Sequence, residues 1–177
     1  MSAAEGGAPL ILTAMLPNDL HGWATELRNR HFPPERNHLQ AHVTLFHAIP
    51  SFLEAELATL LGRLAADHAP VPARLAGIMS LGRGTALKLE SPAMLALRDW
   101  IADHFSGSLT GQDQHRPRLH VTVQNKVSPE EAKALQARLG PQVHPRSFAF
   151  AGLSLHRYRG GPWEHVRDWR FRGATCG

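Results

Sequence analysis

His42-Val43-Thr44-Leu45 and, 78 residues further on, His120-Val121-Thr122-Val123 decide how this chain is read. Each is a short β-type run in which alternate residues face opposite sides. His42 and Thr44 therefore share one face and Val43 and Leu45 the other, and the second run divides in the same way. Random placement of 12 histidines and eight threonines in 177 residues gives only about 0.5 His-x-Thr, and far fewer with aliphatic residues at both remaining positions. Two full copies point to a duplicated unit that carries chemistry on its histidine face.

The flanking sequence repeats as well. Before the first run, Leu10–Leu16 reads as a buried strand, and Leu20, Trp23, Leu27 and His31 mark a helical stripe. Before the second, Thr85–Leu89 reads as a strand, Ser91-Pro92 as a helix start, and Met94, Leu97, Ile101 and Phe105 as the stripe. Both helices end in His-Phe, His31-Phe32 and His104-Phe105. After each run a capping box is expected, Ser51 with Glu54 and Ser128 with Glu131, opening a second helix in each half. Ala73–Ser80 reads as a further strand, and Ser147–Tyr158 with Trp163–Phe171 as a hairpin across 159–162. In that hairpin Arg157, Tyr158, Arg159, Trp163, Arg167, Trp169 and Arg170 form a basic and aromatic blend with two readings: stacking of bases or an RNA strand, and, since Trp163 and Trp169 fall on one face, packing under a helix.

The expectation is a single bilobal α+β domain over 1–177, with repeat units at about 8–80 and 84–172 and loose tails at 1–7 and 174–177. Two antiparallel sheets with outer helices enclose a central cleft. The aliphatic faces of the two runs pack under helices, which turns the histidine faces into that cleft. The face of the second run also gains Arg118, Gln124 and Lys126, and Phe46 continues the first as a candidate for stacking on a base.

Composition bounds the alternatives. At 43% hydrophobic and 19% charged residues the chain can bury a core. The lone Cys176 makes no intrachain disulfide, and a cytoplasmic setting is expected. The apolar stretch from Ala8 to Leu16 is too short to span a membrane and lacks the basic flank of a signal peptide. A net charge of +4, with 16 arginines spread along the chain, suggests local phosphate recognition rather than a general nucleic-acid surface. His38 and His42 have the i, i+4 spacing of a helical zinc pair, but the residues around His42 alternate as a strand, so no metal site is expected. Gly82-Arg83-Gly84 reads as a tight turn, and Asp99 with Asp103 has no partner acid for a carboxylate mechanism.

The paired His-x-Thr strands in a duplicated unit resemble the two-histidine (2H) phosphoesterase superfamily, especially bacterial 2′-5′ RNA ligase-like proteins and RNA 2′,3′-cyclic phosphodiesterases. The stretch from Leu155-His156-Arg157 to Gly161-Pro162-Trp163-Glu164 is similar to the closing hairpin of that family, while Leu119 stands where many members have proline. The resemblance implies that His42 and His120 are catalytic, the first donating a proton to the leaving oxygen and the second accepting one from water. Thr44 and Thr122 bind the phosphate, with further contacts from Arg118, Lys126, Phe46 or Gln124. It implies no metal or other cofactor, a monomer, and RNA termini or small cyclic-phosphate nucleotides as partners. Two alternatives stay open: an RNA- or phosphate-binding module without turnover, and a hydrolase of a small cyclic phosphate such as an ADP-ribose derivative.

Overall fold

The computed structural model describes residues 7–174. Of the tails expected at 1–7 and 174–177, residues 1–6 and 175–177, with Cys176, lie outside the described residues. The first half runs β1 (Leu10–Met15), α1 (Asn18–His31), β2 (Val43–Ile49), α2 (Glu54–Asp67) and β3 (Val71–Ser80). The second runs β4 (Thr85–Glu90), α3 (Pro92–His104), β5 (His120–Gln124), α4 (Pro129–Leu139), β6 (Arg146–Phe150), β7 (Gly152–Tyr158) and β8 (Trp163–Arg170). The strand-helix-strand-helix-strand unit is thus repeated.

The strands form two antiparallel four-stranded sheets, ordered β2-β1-β7-β8 and β5-β4-β3-β6. The halves exchange strands: β3 pairs with β4 in the second sheet, and β7 pairs with β1 in the first. Each sheet therefore contains strands from both halves. The stretch expected as one strand from Ser147 to Tyr158 is broken at Ala151, with β6 joining β3 and β7 joining β1. The exchange leaves both His-x-Thr strands, β2 and β5, on sheet edges that approach each other.

Among the described residues, side-chain caps open two of the four α-helices, α3 and α4. Ser91 accepts from the Met94 amide, and Ser128 accepts from that of Glu131, satisfying donors that a helix N-terminus leaves open. Ser51 makes no such cap. It opens a 3-10 turn over Ser51–Leu53, so that α2 begins only at Glu54. Helix α2 lies against β7 and β8, and α4 against β3 and β4. Leu57, Leu61, Leu135 and Leu139 are buried in one core with Leu12, Val43, Leu87 and Val121. Helix α1 packs on β5 of the opposite sheet, a contact across the two halves. Among the described residues no helix is long and apolar enough to cross a membrane.

Candidate active site

Val43, Leu45, Val121 and Val123 are fully buried, and they anchor the two edge strands to the core. The intervening His42, Thr44, His120 and Thr122 are half-buried. All four line a single cavity of about 450 Å³, together with Arg98, Asp113, Arg116, Arg118 and Trp163.

The two imidazoles are held alike. Nδ1 of His42 lies 2.8 Å from the Gln40 carbonyl oxygen, and Nδ1 of His120 lies 2.6 Å from that of Arg118. A carbonyl only accepts, so Nδ1 carries the proton and donates it, and Nε2 of each neutral ring keeps its lone pair. The same backbone relation, two residues back, fixes one tautomer in both copies.

Trp163 packs on His42 with ring centroids 4.6 Å apart and planes at 58°. Burial pushes the His42 imidazole down to about 4, helped by the positive charges of Arg28, His156 and His120 and opposed by the Gln40 carbonyl. His156, whose ring centroid lies 5.4 Å from that of Trp163, is also pushed down to about 4, by burial first and then by His165, with Asp168 opposing. A group whose folded pKa is depressed adds stability that is complete above its unfolded value, near 6.5, and fades as pH falls toward 4. Between these limits the unfolding free energy is expected to drop by about 2 kcal/mol, after allowance for partial solvent access. Urea titrations at pH 7 and pH 4.5 measure this. His156→Gln should flatten the slope, and an unchanged slope in that variant would remove His156 from the explanation.

Three side chains leave the places that strict alternation gives them. In β2, Thr44 pairs with Thr13 but Phe46 pairs with Leu12, so Leu45 is an extra residue. In β5, Thr122 pairs with Ala86 but Gln124 pairs with Thr85, so Val123 is extra. Each bulge turns the following residue to the opposite face. Phe46 is accordingly buried under the Arg98 guanidinium, 4.1 Å from its ring centroid, and is closed to a base. Gln124 is buried and accepts a hydrogen bond from Thr85 at 3.0 Å. In β8 an irregularity at Val166 separates Trp163, which lines the cavity, from Trp169, which is buried beside Gly62 of α2. Lys126 falls beyond the end of β5 in a turn with φ 60°, outside the cavity lining. Arg118 does line it.

Asp113, Arg98 and Arg28 went unread in the sequence. Asp113 is buried, accepting from the backbone amides of His47 and Ala48 at 2.8 Å each, which caps donors that the bulged edge strand leaves free. Its burial works to raise its pKa, but hydrogen bonds from His47 and Ala48 outweigh this and hold the carboxyl below the usual range. Arg98, on α3, donates to the carbonyls of Leu45 and Asp113. Arg28, on α1, donates to Asn37, to the Leu39 carbonyl and, at 3.0 Å, to the Thr122 carbonyl. Each first helix thus sends a buried guanidinium to the other half's His-x-Thr strand. The available signal was a Leu-Arg pair in both helices, Leu27-Arg28 and Leu97-Arg98. His38 and His42 lie outside any helix, and among the described residues no group of three or more His, Cys, Asp or Glu side chains gathers around a common point.

Solved structures share this fold. The Thermus thermophilus protein TT0787 has a TM-score of 0.64 at 20% identity, over 94% of this chain and 100% of its own. Escherichia coli LigT complexed with NADP+ has 0.60 at 17% identity, over 94% and 98%, and LigT complexed with 3′-AMP has 0.59 at 19%, over 93% and 98%. No curated protein matches the sequence. The model of the 2′-5′ RNA ligase superfamily matches residues 16–162, which span both His-x-Thr strands, and the chain belongs to that superfamily of 2H phosphoesterases.

Proposed function

We propose that this protein opens 2′,3′-cyclic phosphates of RNA ends or nucleotides to 2′-phosphates, without a metal, by paired-histidine acid-base catalysis. Family membership supports phosphoesterase or RNA ligase-like chemistry in general. The observation that carries the finer reading is the pairing of two identically held imidazoles with two threonines on one cavity. One imidazole takes a proton from water as the water oxygen bonds to phosphorus. The bond from phosphorus to O3′ breaks, and O3′ takes a proton from the other imidazole, leaving the 2′-phosphomonoester. The Thr44 and Thr122 hydroxyls donate to non-bridging oxygens, a role in which one lost donor costs about 3 kcal/mol. Arg116 and Arg118 add positive charge at the cavity wall. With a 5′-hydroxyl in place of water, the same step joins RNA through a 2′-5′ linkage.

The resemblance assigns His42 as donor and His120 as acceptor, and we retain this polarity for the substrate complex. An arriving phosphate opposes the burial of His42 and favours its charged form. The reversed polarity has one observation in its favour, the lowered pKa of His42, which keeps its imidazole neutral near pH 7. A kcat/KM profile, which reports the free enzyme, separates them: a donor loses activity as pH rises past about 4, and an acceptor loses it only as pH falls past that value.

The test of the function is incubation with a 2′,3′-cyclic nucleotide in excess EDTA, with products identified by phosphorus NMR. The 2′-phosphate is expected. Binding without turnover would transfer the protein to the phosphate-binding alternative.

A further inference from the structure

A second cavity, of about 410 Å³, adjoins the first on the β1-β7-β8 floor, and His42 and Trp163 line both. Their composition differs. The first is walled by Arg98, Arg116 and Arg118, whereas among the described residues lining the second there is no arginine or lysine and one carboxylate, Asp168. A phosphate is drawn to the former, and an uncharged group fits the latter.

The floor of the second cavity is a polar row set by strand register, in which Thr13 pairs with Ser154 and Ser154 with Asp168. The Ser154 hydroxyl donates to Asp168 Oδ1 at 2.5 Å, and His165 Nε2 lies 2.8 Å from the same oxygen. With its proton committed to Asp168, Ser154 accepts from His156 Nε2 at 3.1 Å, which leaves His156 Nδ1 as an acceptor. Among the described residues no group donates to Asp168 Oδ2. The chamber therefore presents acceptors on its floor and an indole on the wall it shares with His42.

Resting on the cyclic-phosphate reading above, we propose that this chamber binds the nucleoside part of the substrate on the His42 side of the phosphate, with the base against Trp163 and its amino or hydroxyl donors directed to Asp168 and His156. An aromatic wall suits the face of any base, and a carboxylate accepts from exocyclic amines and ribose hydroxyls while repelling a second phosphate. The protein is thereby a nucleotide-selective phosphodiesterase rather than one that recognises the cyclic phosphate alone.

The experiment compares kcat/KM for adenosine 2′,3′-cyclic phosphate and for ribose 2′,3′-cyclic phosphate, which lacks the base. The nucleotide is expected to lead by about 30-fold, and Asp168→Asn to cut that ratio by about tenfold, the scale of one hydrogen bond to a charged group. A ratio near one in the wild type overturns the proposal, as does an unaltered ratio in both Asp168→Asn and Trp163→Phe. If neither compound turns over, the catalytic reading fails separately and adenosine alone decides the chamber by NMR. Saturable shifts of the Trp163 indole proton and the His156 ring, weakened in Asp168→Asn, support it, and their absence overturns it.

Discussion

Replacing His120 with alanine is expected to lower turnover of a 2′,3′-cyclic nucleotide by about 10³- to 10⁴-fold, with His42→Ala losing a comparable factor. Each substitution removes one proton transfer that the step requires, and water is a poor substitute without a ring tied to a backbone carbonyl. The two losses should not multiply. A cavity that has lost its acid gains little from keeping its base, so the double variant is expected within about tenfold of the weaker single one. Both side chains are half-buried, and the strands are anchored by Val43, Leu45, Val121 and Val123, so the variants should fold. Binding of a 3′-phosphorylated nucleotide is the internal control, since Thr44, Thr122, Arg116 and Arg118 remain. Initial rates measured in EDTA, alongside nucleotide titrations, check this. Turnover within a few-fold of wild type in both single variants would leave paired-histidine catalysis without support.

Periodicity made the duplicated unit legible, because both copies keep an aliphatic face that must be buried and a His-Thr face that need not be. Strand type, the Met94, Leu97, Ile101 and Phe105 stripe and the cavity lining of His42, Thr44, His120 and Thr122 follow from that, whereas Trp23, expected in the stripe of α1, is exposed and Ala24 is buried in its place. Alternation fails after a bulge, since one extra residue reverses every side chain beyond it. Phe46, Gln124 and Trp163 each stand beside such a point, and each was given the wrong face or the wrong companions. The exchange of β3 and β7 was hidden for a different reason. Pairing partners are set by where helices and loops deliver a strand, and β3 has the same composition whichever sheet receives it. Asp113 was unreadable because its partners are backbone amides 66 and 65 residues away, which leave no mark in the sequence.

The largest stability effect is expected at Arg98, whose substitution by methionine should cost about 3–5 kcal/mol of unfolding free energy. Its side chain is 2% exposed and directly touches no carboxylate oxygen: the Asp113 carboxylate is occupied by His47 and Ala48, and Arg98 takes the carbonyls of Asp113 and Leu45. Methionine has similar length and preserves much of the packing on Phe46, so the loss isolates two buried carbonyls left without donors. Lysine keeps the charge but lacks the planar fork that spans both acceptors, and an intermediate loss is expected for Arg98→Lys. The carbonyl of Leu45 adjoins Thr44 at the bulge, so both variants should also lose turnover by more than their folded fraction explains. Arg28 braces the reciprocal contact on Thr122, and burial pushes its guanidinium down to about 10, which still leaves it charged at neutral pH. Because the two arginines hold the same interface from opposite sides, Arg28→Met and Arg98→Met should be non-additive by roughly 0.5 kcal/mol or more in a double-mutant cycle of urea midpoints. Strict additivity would mean that each arginine stabilises only its own half, and an unchanged midpoint in Arg98→Met would show that the interface holds without the crossed guanidinium contacts.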